Sequence, residues 1–430
     1  MNITDNGNQI SFKLSTHSTP LRMLSNDEAE LYDRQIRLWG AHAQAKIRDS
    51  SVLMLGFNGV ASEVAKTLVL AGIKSLTIVD DQPIQKADDT SNLFCRRPVK
   101  TIDEPKYRTY AVKDKLKRLN PLVEVTIINK PIFSECIQDG TTNYNLLTLH
   151  SFLTISEISQ INTWCRKRSI MFYFAIDFGF YGFIFNDLGA EFAFEYEKFT
   201  EKPIEDEAKS EKGVKGDLIS IDEDEQALDG EDDTSDDDNR PKKRLRVHSP
   251  DRPPSKDSKK TDAKDKVSIS AKLSYVTFSD LISSKNLALD CKSSPVLLVS
   301  LAMIKFFDQC KHLPRQENDS INQKDLETIK EIFNSTCESY KVPEKLLKKL
   351  NPDWTDHVSS SISPICAVIG GLAGQDIIRV LSGKDIPIYN TFAFDGVCIS
   401  GSVTKVGFPD EIKAGVEKPV IRDLVEIDED

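Results

Sequence analysis

Ser51-Val-Leu-Met-Leu55, Gly56-Phe-Asn-Gly-Val-Ala61 and Leu76-Thr-Ile-Val79, taken together, decide how this chain folds. The first is a short apolar run of the type buried in parallel sheets, and the second turns the chain. Val60, Val64 and Leu68, with Ala61 and Ala65, recur at helical spacing until Ala71-Gly72 supplies a stop. Strand, tight turn, helix and strand make a βαβ unit of nucleotide-binding type. The turn is a worn copy of the phosphate-binding G-x-G-x-x-G. Gly56 is kept, but Asn58 stands where the second glycine would let the backbone approach a pyrophosphate. Ala61 replaces the third, with Gly59 between them. Asp80 ends the second strand about 20 residues on, where a ribose-binding acid belongs. Any doubly wound sheet also begins with some glycine-containing βα turn, so these residues predict a nucleotide fold whose nucleotide site has decayed.

Working outward, Lys106 to Leu119 reads as a helix stopped by Asn120-Pro121, and Val123 to Ile128 as a third strand. Leu146 to Leu149 is the fourth strand, Ser156 to Arg168 a helix, and Ile170 to Ala175 the fifth strand. Phe178 to Phe185 and Ala190 to Tyr196 read as antiparallel additions. Strands alternating with helices predict an α/β fold with a mainly parallel, doubly wound sheet. Later come a strand at Leu273 to Phe278, helices at Ser294 to Lys311, Gln323 to Tyr340 and Pro364 to Leu381, and strands at Thr391 to Asp395 and Ser402 to Val406.

The 430 residues, 39% of them hydrophobic, suffice for a substantial core. No apolar run is expected to approach the ~20 residues of a membrane span, and Met1 to Pro20 lacks a signal-peptide pattern, so the expectation is a soluble, intracellular protein. The eight cysteines include no C-x-x-C pair, which argues against a zinc site. A net charge of −11 disfavours nonspecific nucleic-acid or membrane binding. Much of that charge lies in 199–266, where an acidic stretch, a basic cluster and a Pro, Ser and Lys mixture hold hardly an apolar residue. Such a segment cannot offset its chain entropy and is expected to be disordered. The expected division is a disordered 1–24, an adenylation-like domain in two parts at 25–198 and 267–408, the insertion 199–266, and an acidic tail 409–430.

Two further stretches bear on function. Ser25-Asn-Asp-Glu28 is a capping box opening a helix that carries Tyr32-Asp-Arg-Gln-Ile-Arg-Leu-Trp-Gly40, whose arginines could simply lie over the helix surface. Pro364 to Leu381 holds Gly370, Gly371 and Gly374, each costing about 1 kcal/mol against alanine in a helix interior. Close backbone approach would compensate, either against this chain's own sheet or at a subunit interface.

Tyr32 to Gly40, the worn turn at 56–61, Leu119-Asn-Pro121, Gly179-Phe-Tyr-Gly182, Pro364 to Leu381 and Phe392-Ala-Phe-Asp-Gly396 stand in one order along the chain. In that order they resemble the activating enzymes of ubiquitin-like modifiers, of the ThiF/MoeB-like adenylating family, over roughly 25–200 and 268–408. Within it the chain is similar to the smaller, non-catalytic half of the SUMO-activating type. An active half would carry an intact glycine triplet and, after the fourth strand, an Asp-Asn pair holding Mg²⁺ on the ATP phosphates. Here His150-Ser151 stands in that place and offers no such carboxylate. His150 is expected to be polar surface. Active halves also insert a catalytic-cysteine domain where 199–266 lies, a stretch without cysteine. A regulatory subunit for the Nedd-type modifier would carry a larger folded insertion.

The resemblance implies a heterodimer with a catalytic subunit that binds ATP and Mg²⁺, adenylates SUMO and takes it as a thioester, with the SUMO-conjugating enzyme reached only indirectly. It implies no cofactor and no metal in this chain. It places Arg34 in the partner's ATP site and leaves Arg37 structural, with Asn92, Arg96 and Lys106 as relics of phosphate contacts. The basic run Arg240-Pro-Lys242-Lys243-Arg244-Leu-Arg246 matches a nuclear-import signal or balances the acidic run before it. Leu218, Ile219 and Ile221, and Leu424, Val425 and Ile427, precede carboxylates in the manner of SUMO-interaction motifs or belong to solvated acidic tails. An autonomous Rossmann enzyme and a free-standing scaffold are the rival readings.

Overall fold

The computed structural model describes residues 25–95, 107–133, 143–199 and 266–406, except 285–288, 290–292, 318–319 and 359–360. Alternation along β1 (Ser51–Leu55) sets the plan. Val52 and Met54 enter one buried cluster, Leu53 and Leu55 another, so the sheet is covered on both faces. β2 (Ser75–Val79) and β3 (Glu124–Ile128) follow on one side of β1, and β4 (Leu146–Leu149) and β5 (Met171–Phe178) on the other, all parallel. β6 (Tyr181–Asp187) turns back antiparallel on β5. β7 (Phe192–Phe199) and β8 (Lys266–Leu273) form a separate two-stranded ribbon, and β9 (Gln316–Glu317) and β10 (Ser320–Ile321) another. β11 (Thr391–Asp395) and β12 (Ser400–Thr404) add two antiparallel strands beyond β6. The order is β12-β11-β6-β5-β4-β1-β2-β3, and the chain reverses its direction of travel across the sheet between β1 and β4.

Three short helices, α1 (Asn26–Leu31), α2 (Asp33–Trp39) and α3 (Ala41–Arg48), precede β1. The capping box opens α1 as the sequence predicts, but the single helix expected through Trp39 is broken at Tyr32 and again at Gly40, whose φ is +87°. α4 (Gly59–Ala71) follows β1 and stops at Gly72 in the left-handed region, φ +79°. α5 (Asp88–Ser91) and α6 (Arg108–Leu119) lead to β3, and α7 (Ile155–Lys167) to β5. α8 (Phe278–Ser283), α9 (Val296–Cys310), α10 (Gln323–Ser339), α11 (Glu344–Leu347) and α12 (Ser363–Ser382) follow. Side chains of α3, α4, α6 and α12 fill one face, those of α7 to α10 the other.

Contacts divide the chain into one unit of 1–197 with 268–430, to which this sheet belongs, and another of 198–267. Three expectations are corrected. The strand placed at Leu273 to Phe278 lies upstream, as β8, because Thr277 caps α8 by accepting from the Asp280 amide. The strand expected at Ala190 to Tyr196 pairs in the ribbon rather than in the main sheet. α12, by length and composition alone, is apolar enough to cross a membrane, yet most of it is buried in this core.

A clip of polar groups fixes where the chain re-enters the core after the ribbon. Asp187, at the end of β6, accepts from Arg166 Nε and from Asn162 Nδ2, each at 2.7 Å. Asn162 Oδ1 in turn accepts from the Phe278 amide at 2.8 Å, anchoring the first turn of α8.

Candidate functional site

In an open α/β sheet, ligands bind beyond the carboxyl ends of the strands where the strand order reverses. Here that place lies between β1 and β4, and Gly56 follows one as His150 follows the other. The two ends are in close contact: a Cβ on Gly56 would lie 3.1 Å from Ser151 Cβ and 3.3 Å from the His150 carbonyl, and φ of Gly56 is +81°. Glycine is required for this approach of the chain to itself.

The turn's polar groups are met from within. Phe57 N–H donates to Asp80 Oδ2 at 2.6 Å, and Phe57 O accepts from Asn92 Nδ2 at 3.1 Å. Asn58 is the N-cap of α4, its Oδ1 accepting from the Ala61 amide at 3.0 Å. Anions bind helix N-termini through such free amides, and Asn58 supplies the acceptor itself. Gly59 is wedged, since a Cβ would come 2.6 Å from Cys366 Sγ and 2.7 Å from Ser91 O. Asp80 also accepts from Gln82 N–H at 2.6 Å. Burial lifts its pKa above the ordinary carboxylate range, opposed by Arg108 at 3.8 Å. The Phe57 and Ala61 amides and the Asp80 carboxylate are thus hydrogen-bonded within the turn itself.

His150 is only 1% exposed, correcting its reading as polar surface. Its Nδ1 lies 3.0 Å from Ala175 O, a pure acceptor, so Nδ1 carries the proton and Nε2 accepts from Thr148 Oγ1 at 2.8 Å. Burial pushes its pKa down to about 4, leaving a neutral ring that locks β4 to β5. Asp177, near the end of β5, was not singled out by sequence. Its carboxylate accepts from Ser361 Oγ and lies 3.4 Å from Cys366 Sγ, joining β5 to the start of α12. The landmark glycine two residues after it was the available signal.

Arg34 and Arg37 share α2 but differ in state. Arg37 Nη2 pairs with Asp33 at 2.9 Å, one turn earlier. Arg34 is exposed and, among the described residues, has no ion-pair or hydrogen-bond partner. α2 buries none of its own residues, and Leu38 is 79% exposed. Gln35 Nε2 donates to Leu70 O at 3.1 Å, and Trp39 Nε1 to Gln44 Oε1 at 3.0 Å.

Two of the three glycines of α12, Gly370 and Gly374, pack on α4. A Cβ on Gly370 would meet Glu63 Cβ at 2.5 Å and Val60 O at 2.7 Å, and one on Gly374 would meet Thr67 Cβ at 2.9 Å. Gly371 faces open space beside the exposed Val368 and Leu372. Asn92 holds the turn, with Oδ1 also accepting from Phe94 and Cys95 amides at 3.0 and 3.1 Å. Arg96, Lys106, the basic run at 240–246 and the apolar triplets at 218–221 and 424–427 lie outside the described residues.

The sequence pattern of the ThiF family matches residues 32–406. SUMO-activating enzyme subunit 1 of Xenopus laevis is 30% identical over 387 residues, covering 90% of this chain and 97% of the relative. The Xenopus tropicalis and Homo sapiens proteins of that name are 29% identical over 390 residues and 30% over 386. Among solved structures, a crystal structure of PaaA aligns over 90% of this chain and 84% of its own at 12% identity, with a TM-score of 0.46. This chain belongs to the ThiF family, and within it to the group of SUMO-activating enzyme subunit 1.

Proposed function

We propose that this chain is the non-catalytic half of a heterodimeric SUMO-activating enzyme and lends an arginine to its partner. The partner binds ATP and Mg²⁺, joins the SUMO carboxylate to the α-phosphorus with loss of pyrophosphate, and takes SUMO onto its own cysteine. Arg34 enters the partner's ATP site, where its guanidinium neutralises charge gathering on the phosphates during transfer. The observation that carries this reading is the pairing of a nucleotide turn hydrogen-bonded within itself by Asn58 and Asp80 with an arginine that is exposed on α2 and, among the described residues, unpartnered. The exposed Val368, Gly371 and Leu372 of α12 are candidates for the partner surface, whereas Gly370 and Gly374 are not.

Arginines supplied in trans to phosphoryl transfer accelerate it by about 10³-fold or more. Arg34→Ala is expected to leave the purified heterodimer assembled and to slow ATP–pyrophosphate exchange on that scale. Unchanged exchange overturns the assignment. The basic run at 240–246 is proposed to direct nuclear import, and a tagged protein lacking it that stays wholly nuclear would refute this. The triplets at 218–221 and 424–427 are proposed to bind SUMO, which peptide titration against labelled SUMO decides.

A further inference from the structure

The last turn of an α-helix leaves carbonyls without partners inside the helix. In α4, three consecutive ones accept from side-chain amides of other segments: Val69 O from Asn120 at 3.0 Å, Leu70 O from Gln35 at 3.1 Å, and Ala71 O from Gln44 at 2.9 Å. Gln35 lies on α2, and Gln44 lies on α3, where it also accepts from Trp39 of α2. The end of the worn nucleotide helix is thus the mount on which the arginine-bearing helix sits.

Tyr32 is the pin of that mount. It is both the C-cap of α1 and the N-cap of α2, and is 3% exposed. Its ring lies on the backbone of Gly72, where any Cβ would come 2.3 Å from the hydroxyl oxygen and 2.4 Å from Cζ. Its hydroxyl accepts from Asn120 Nδ2 at 2.9 Å. Burial raises the pKa of the phenol, so the group stays neutral at physiological pH. Since α2 fully buries no side chain of its own, its pose depends on Tyr32 at its start and on the hydrogen bonds of Gln35 and Trp39.

We infer that Tyr32, seated on Gly72 and bonded to Asn120, is the positioning residue that fixes the helix presenting Arg34. This rests on the proposed role of Arg34. A long side chain acting across an interface multiplies any tilt of its helix, and misplacement by about 1 Å at a transition state costs on the order of 10²-fold.

The test uses the full-length heterodimer with Tyr32→Ala, Tyr32→Phe, Arg34→Ala and the double variant, reading kcat and the ATP KM of pyrophosphate exchange, and heterodimer yield. Tyr32→Ala is expected to lower kcat by about 10²-fold with little change in KM or yield. Tyr32→Phe, which keeps the ring on Gly72, is expected to recover most of that loss. In the Arg34→Ala background Tyr32→Ala is expected to add nothing, because both changes remove one contribution. Losses that multiply, or an unchanged kcat in Tyr32→Ala, overturn the positioning role. If Tyr32→Ala does not assemble, Tyr32→Leu carries the same expectation. A normal rate in Arg34→Ala overturns the arginine reading and the pin with it, whereas a slow Arg34→Ala beside unaffected Tyr32 variants overturns the pin alone.

Discussion

Oδ1 of Asn58 lies 3.0 Å from the amide nitrogen of Ala61 and takes the hydrogen bond that a nucleotide-binding turn offers to a phosphate. The substitution that spoils the glycine pattern is therefore also the one that stabilises the helix. Asn58→Ala is expected to cost about 1 kcal/mol, seen as a lower urea midpoint, and Asn58→Asp to retain most of it. Asn58→Gly is expected to give the isolated chain no ATP binding by calorimetry, because Asp80 still holds the Phe57 amide.

The neighbouring glycines of α12 should respond in opposite senses. At Gly370 a methyl would strike Val60 O and Glu63 Cβ, so Gly370→Ala is expected to destabilise by about 1–3 kcal/mol. At Gly371 nothing lies within 4 Å, so Gly371→Ala is expected to stabilise the isolated chain by up to about 1 kcal/mol. Thermal unfolding of the two variants makes the comparison. Weaker heterodimer formation by Gly371→Ala alone would mark that face as the partner's.

His150 makes stability depend on pH. Its pKa is about 4 in the fold against 6.5 in the unfolded chain. The unfolded state therefore binds the extra proton between those values. The contribution is complete above pH 6.5 and is lost as pH falls toward 4, by roughly 3 kcal/mol. Asp80, Asp177 and Asp376 work in the opposite sense, since burial raises their pKa values. The measurement is thus a difference: denaturation midpoints from pH 7 to 4 should fall less steeply in His150→Gln than in the natural chain.

Asp187 has a fully buried side chain bonded to Arg166 and Asn162. Asp187→Ala leaves the Arg166 side chain, three-quarters buried, without its carboxylate, and losing one partner of such a pair costs about 3–5 kcal/mol. The expected result is a large drop in the denaturation midpoint, with earlier proteolysis around Tyr275 and Phe278.

The sheet was legible because a buried parallel strand writes itself as a short apolar run: Ser51 to Leu55 and Leu146 to Leu149 fall where sequence placed them. Caps were legible for the same local reason, as at Ser25 and Glu28. What depends on distant partners was not. Nothing near His150 in the chain says that Ala175 O waits for its Nδ1–H, and nothing near Gly370 says that α4 lies against it. The break at Tyr32 carries no local mark, because tyrosine is no helix breaker and the partner of its hydroxyl, Asn120, is 88 positions away.

The ribbon of β7 and β8 has one more implication. The 66 positions from 200 to 265 leave the core from one of its strands and return on the other. Closing a chain between two fixed ends costs only about 0.6 kcal/mol more for each doubling of its length. A change in the length of the chain between Phe199 and Lys266 is therefore expected to leave the eight-stranded sheet in place, and a reporter could be grafted there for the same reason.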